Sequence, residues 1–232
     1  MEILLNKEAK KIIKDTLGLN KKKMLSEALV AQEKTFDIKT DFLSETSVKN
    51  HIELYQDYIK KFNEISAKLD TVDISNVNSS HSDYRSIKND ETFNMNASYL
   101  HELYFSNIGD NASSITMDSL SYMRLNRDFG TFDDWQKDFM ASANSSRCGW
   151  AVTYLNIYTQ AYANCFIDLH SLNVPVGMYP VIVIDMWQHA YYKDYLKNAS
   201  TYLTAMMKQL RWSVIEKRFE KADKLLEIVR GV

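Results

Sequence analysis

The run Val181-Ile182-Val183-Ile184 most restricts what this chain can become. Four consecutive β-branched residues with no polar alternation read as a strand buried on both faces, which demands a substantial core. The strand ends on a carboxylate, Asp185, and four residues later, among Trp187, Tyr191 and Tyr192, comes His189. Two polar groups at the end of a buried strand need partners to offset the loss of water.

The rest of the chain is organised around that strand. From Gly149 to Asp185, the segments GWAVTYLNIY, AYANCFIDLH and YPVIVID are separated by polar turns and by Pro175 and Pro180, which predicts a small antiparallel sheet of three strands. Upstream, Ser44 followed by Glu45 marks a helix start, and His51, Tyr55, Tyr58, Phe62, Ile65 and Leu69 recur at spacings of four and three. That is one long amphipathic helix with His51 on its inward stripe. The tract from Asp70 to about Glu91 is polar and aperiodic, and reads as loop with at most a short helical turn. A second helix is predicted from about Phe93 to Ile108, with Leu100, His101, Tyr104 and Phe105 on one face and Gly109 closing it. Thr131 with Asp134 fits the cap of a short helix carrying Trp135, Phe139 and Met140 inward, and the final segment returns to helical spacing.

Residues 1–33 are rich in lysine and helical in spacing but broken near Gly18; they read as a solvated or loosely docked extension, with an arm for an assembly partner as the alternative. The expected fold class is therefore α+β: an extension over 1–33, an N-terminal helical hairpin domain over 34–110, and an α/β domain with a small three-stranded antiparallel sheet over 111–232.

Charge narrows the partners. A formal net charge of -2 gives no global attraction to nucleic acid or to an anionic membrane. No apolar run approaches the roughly 18 residues that a membrane span requires. The start MEILLNKEAKK offers too short an apolar stretch for a signal peptide, so the expected compartment is the cytoplasm, with the mitochondrion as the alternative. Cys148 and Cys165 sit in no CxxC motif and are expected to be reduced.

Five histidines occur, and all but His81 fall on inward faces or at strand ends. Any one of His51, His101, His170 and His189 reads most simply as a hydrogen-bonded core residue. Together they suggest something else. One histidine from each helix of a hairpin, with Asp185 and His189, would form a site of three imidazoles and one carboxylate, a donor set that suits iron, manganese or zinc.

The string Asp185-Met186-Trp187-Gln188-His189-Ala190-Tyr191-Tyr192 resembles the signature of the iron/manganese superoxide dismutase family, D-x-W-E-H-A-Y/F-Y. NASYLHELYFSNIG is similar to that family's second helix, DFGTFDDWQKDFMASANSSRCGWAVTYL to its DFGS-F segment, and YLTAMMKQLRWSVIEKRF to its closing pattern, so the resemblance covers about residues 40–220 in order. It implies a helical hairpin followed by an α/β lobe, superoxide as substrate, one Fe or Mn per chain, and a homodimer. It also implies His51, His101, Asp185 and His189 as ligands, His170 as the group held against the metal's solvent, Tyr58 as the tyrosine continuing its proton relay, and Tyr191 as the tyrosine near the substrate entrance. Trp150, Trp187, Tyr104 and Phe105 would wall the site.

In the first helix the family spacing, matched on Tyr58, would place Asn50 at the ligand position. His51 is preferred as the better donor, with a one-residue helical bulge expected to reconcile it with Tyr58. Gln188 replaces a glutamate that usually reaches across the dimer, and Ala199 stands where an arginine often guides substrate. These departures and the extension leave an alternative open, a chain that keeps the fold for a structural role in a larger assembly.

Overall fold

The structure, a computed structural model, describes residues 31–108 and 114–230. The expectations for Gly18 and Gly109, and most of the predicted extension, lie outside those residues. Helix α1 spans Glu45–Leu69; the Ser44 hydroxyl accepts from the Ser47 amide, and Glu45 brings negative charge to the first turn. Its buried stripe is Val48, His51, Tyr55, Ile59, Phe62 and Ile65. The helix is α-helical throughout, so the expected bulge is absent. None is needed, because seven residues complete almost two turns and bring His51 and Tyr58 to the same side.

Helix α2 spans Asp83–Asn107, starting a good two turns earlier than predicted. Ser82 caps it by accepting from the Arg85 amide. Its buried residues begin only at Asn94, so the first turns project into solvent and carry no apolar stripe. α1 and α2 pack against each other as the hairpin. The approach to α1 is fixed as well: Asn63 donates to the Ala31 carbonyl at 3.0 Å and accepts from its amide at 2.8 Å, while Phe36 packs on Tyr55 and Phe105. The chain is thus already attached at Ala31, inside the stretch read as extension.

The second part begins with α3 (Leu120–Phe129), which the sequence reading did not foresee, and α4 (Phe132–Ser145), capped by Thr131 accepting from the Asp134 amide. Strands β1 (Gly149–Asn156), β2 (Ala161–Asp168) and β3 (Met178–Asp185) form an antiparallel sheet in the order β2-β1-β3, as expected. β1 lies at its centre and pairs Trp150 with Asp185. The β1–β3 register slips between Thr153 and Tyr154, opposite Pro180, which has no amide hydrogen to give the ladder. Gly149 is required where it stands: a Cβ there would come within 1.8 Å of the Ile167 carbonyl oxygen.

Helices α5 (Gln188–Tyr195), α6 (Ala199–Lys208) and α7 (Trp212–Arg230) complete the described chain. The core runs from the inner faces of the hairpin through Trp135, Phe139 and Trp150 to β3 and α7, and the end of β3 points back at the hairpin.

Candidate metal centre

Four elements deliver one side chain each. His51 comes from the second turn of α1, His101 from the later half of α2, Asp185 is the last residue of β3, and His189 lies in the first turn of α5. Their ligand-capable atoms all lie within 4.8 Å of one another. His51 Nε2 and His189 Nε2 each stand 3.1 Å from Asp185 Oδ2, and His101 Nε2 is 3.6 Å from the same oxygen. Asp185 and His101 are wholly inaccessible, His51 is nearly so, and His189 has 25% of its side chain exposed. Asp185 is held in place by its own turn: Oδ1 accepts from the Trp187 amide at 2.7 Å.

The tautomer of His101 follows from its neighbours. Its Nδ1 lies 2.7 Å from the Ala97 carbonyl oxygen, which can only accept, so Nδ1 carries the hydrogen. Burial holds the ring neutral, with its pKa well below the ordinary value, so Nε2 is left as a bare lone pair. That atom has no hydrogen-bond partner, is fully buried, and faces a carboxylate oxygen. Burial alone would push the Asp185 carboxyl up, but the charge and hydrogen bonds of His189 and His51 together hold it well below the carboxylate range. An anionic oxygen and a lone pair facing each other in a dry interior call for a cation between them. Burial also lowers the pKa of His51, against the pull of Asp185, and favours the neutral imidazole that can coordinate. The residues present fit a metal ion.

His170 lies one layer away, after β2. Its Nδ1 accepts from the Trp150 indole N–H at 3.0 Å; since an indole can only donate, the ring hydrogen sits on Nε2, which donates to Tyr58 Oη at 3.1 Å. Burial lowers the His170 pKa to about 4, so this arrangement survives mild acid. Burial first, and then the charge of Asp185, raise the Tyr58 hydroxyl to about 12. Trp187 stacks on both His170 and His189, Trp150 meets the His101 ring edge-on, and Tyr104 and Phe105 close on His51. Behind Asp185, the Tyr104 hydroxyl donates to that of Tyr202, which donates to the Asp185 carbonyl.

A cavity of about 340 Å³ leads from solvent to His51 and His189, lined also by Ser47, Asn50, Gln188, Tyr192 and Lys193. It is His51 whose ring reaches Asp185; Asn50 lines the cavity instead. Tyr191, expected near the entrance, is not on this wall and stacks on Tyr202 with 5.3 Å between ring centroids. Tyr192 lines the cavity. Tyr192 and Lys193 follow His189 by three and four residues, the helical spacing that puts side chains on one face, and that signal could have found them.

The family model for the C-terminal domain of iron/manganese superoxide dismutases matches residues 119–218. A superoxide dismutase [Fe] of Aquifex aeolicus is 34% identical over 192 residues, covering 81% of this chain and 89% of the relative. The chain belongs to the iron/manganese superoxide dismutase family. The corresponding protein of Aquifex pyrophilus is similar to the same extent, and superoxide dismutase [Mn] 1 of Halobacterium salinarum is 29% identical over 142 residues, 60% of this chain and 68% of the relative. A family in which relatives are named for either metal agrees with a donor set of imidazole nitrogens and one carboxylate, which excludes neither. The iron/manganese superoxide dismutase architecture of a helical domain followed by an α/β domain is the one described above.

Proposed function

We propose that this chain is a superoxide dismutase that uses one iron or manganese ion, held by His51, His101, Asp185 and His189. The observation that carries the reading is the orphaned His101 lone pair aimed at the buried Asp185 carboxylate, with two further imidazoles on the same oxygen. Bound there, either metal supplies a one-electron couple between its +2 and +3 states, which oxidises one superoxide to dioxygen and reduces a second, with two protons, to hydrogen peroxide.

The chain's own residues do the rest. With Asp185 as the single carboxylate among its four ligands, a bound metal cation would keep a net positive charge toward an anionic substrate. Trp187 and Trp150 stack around the imidazoles and, with Tyr104 and Phe105, exclude bulk water and fix the ring orientations. Tyr58 Oη accepts from His170 and keeps its own hydrogen throughout the neutral range, so it stores a proton beside the centre for the leaving peroxide. The cavity at His51 and His189 gives a small anion its way in. A homodimer, work in the cytoplasm and an antioxidant role belong to the same reading; light scattering is expected to give twice the 27.0 kDa of the chain. A chain kept only for a structural role would have no reason to retain a lone pair buried against an anion.

The decisive experiment measures dismutation by protein loaded in parallel with iron and with manganese, with metal content determined. Fast turnover with one metal is expected. Folded, metal-filled protein that turns over with neither would overturn the proposal.

A further inference from the structure

His170, which bonds Tyr58, stands in a loop that packing supports poorly. It follows the end of β2 by two residues, and the loop from there to β3 leaves Leu169, Leu172, Val174 and Val176 exposed. Leu169, just before the histidine, has φ 55°, a left-handed backbone that is unfavourable for leucine and persists only where its surroundings impose it. His170 also lines a second cavity, of about 260 Å³, with Asn96, Leu100, Ile167, Val174 and Met178, so close packing does not back it on that side. Hydrogen bonds must therefore set its position. Trp150 and Tyr58 fix the ring, and the Leu169 amide donates to the Cys148 carbonyl at 2.6 Å. The main chain of His170 is held as well, because Asn96 Nδ2 donates to its carbonyl at 2.8 Å. Asn96 lies on α2 five residues before His101, so one helix carries both a candidate ligand and the tie to His170.

We propose that Asn96 is a positioning residue of the proton relay, holding the His170 carbonyl and thereby keeping His170 Nε2 on Tyr58 Oη. The proposal rests on the dismutase reading for the use made of that relay but not for its geometry. Freed from Asn96, the loop can relax from the strained backbone at Leu169 and carry the imidazole with it, and a proton donor turned out of line transfers less well. Asn96 is not among the four clustered side chains and does not line the cavity at His51 and His189, so its replacement spares metal binding and substrate entry.

Three variants of the full chain test it. Asn96→Leu removes the donor, Asn96→Asp keeps the shape of the side chain but offers no hydrogen at neutral pH, and Asn94→Leu removes another amide of α2, one that donates to the Asp90 carbonyl of its own helix. Two quantities are followed. Nitrogen-15 NMR of protein loaded with zinc, which keeps the spectrum diamagnetic, gives the solvent exchange of the His170 Nε2 hydrogen, identified by its absence in His170→Gln. Dismutation by iron-loaded protein of determined metal content gives kcat and kcat/KM. Both Asn96 variants are expected to speed the exchange and to lower kcat by about three- to tenfold, the worth of one hydrogen bond, with kcat/KM changed by less than about twofold. Asn94→Leu should match the parent in both. Unchanged exchange in the Asn96 variants would overturn the proposal, as would an unchanged kcat in a protein that turns over, or equal effects from Asn94→Leu. If the parent fails to turn over superoxide while the Asn96 variants still free the Nε2 hydrogen, the dismutase reading falls and the positioning of His170 by Asn96 stands.

Discussion

His101 is the residue where the chain's sequence, fold and chemistry meet most sharply. Its Nδ1 hydrogen goes to a carbonyl of its own helix, its Nε2 has no partner, and no water can reach it. In the metal-free protein that lone pair is a standing cost, since an unsatisfied buried polar atom forfeits about 1–3 kcal/mol. His101→Leu is therefore expected to leave metal-free stability within about 1 kcal/mol of the parent, while abolishing the gain in Tm on loading. Calorimetry of both forms checks this; a loaded His101→Leu protein that still gains Tm would remove His101 from the ligand set. His170 makes a different prediction. Its folded pKa, about 4, lies below the 6.5 of the unfolded chain, so as pH falls below 6.5 the unfolded state takes a proton that the native state refuses. His170's own share of the stability lost across that window is about 2 kcal/mol at pH 5 and levels off below pH 4, and His51 and His101, whose pKa values burial also lowers, add to the loss. Asp185, with its pKa depressed, works in a lower window, losing its contribution only as pH drops below the ordinary carboxylate range, so the two are separable. Urea titrations of metal-free protein at pH 7 and pH 5 should show the loss, and His170→Gln should shrink it.

At the scale of elements, the parts that were legible in the sequence were those with one wet face and one dry face. The stripe of α1, the cap at Ser44 and the three strands could all be read because burial there imposes a period. The first turns of α2 could not, because Asp83 to Asp90 lie against solvent and owe their helix to the cap and to the packed turns that follow. α3 has an apolar face, with Leu125 in the core and Leu120 and Phe129 packed against it, but its ten residues are too few for the period to stand out in the sequence. The four clustered side chains were readable as a set because imidazoles are scarce and their positions inward, whereas which tyrosine of α5 lines the cavity depends on how that helix is rotated against its neighbours. Nothing in the spacing marked Arg218, which joins three elements from α7. Its guanidinium donates to Asn107 Oδ1 at 2.6 Å, the Val181 carbonyl at 3.1 Å and the Leu103 carbonyl at 2.9 Å, and Asn107 in turn donates to the Val183 carbonyl at 2.5 Å. Burial lowers its pKa to about 10, still high enough to keep it charged. Arg218→Ala strands these acceptors and opens a cavity, at a cost of about 3 kcal/mol measured by urea unfolding. Lys, with a point charge in place of the planar fork, should recover only part of it.

For the molecule as a whole, what matters is how the ligands are shared. His51 and His101 belong to the hairpin, Asp185 and His189 to the sheet-bearing part, so a metal at this centre ties together two regions of the chain otherwise joined by packing and by contacts such as the Ile108–Leu210 bridge and Arg218. A ligand that binds only the native state stabilises it by about 2.7 kcal/mol at a hundredfold excess over Kd. In a protein of this length each kcal/mol moves Tm by roughly 2–4 °C, so loading with iron or manganese should raise Tm by roughly 5–11 °C. The local consequence is more telling than the global one. A tie between the two regions must suppress the opening of one against the other, so amides of α1 around His51 and of α5 around His189 should gain hydrogen-exchange protection on loading. Amides at the start of α2, from Asp83 to Asp90, project into solvent away from the centre and should exchange at the same rate in both forms. Protection rising uniformly over the whole chain would point to a gain in global stability alone, and protection rising in only one of the two regions would mean that the ion is held by that region's residues without the other's.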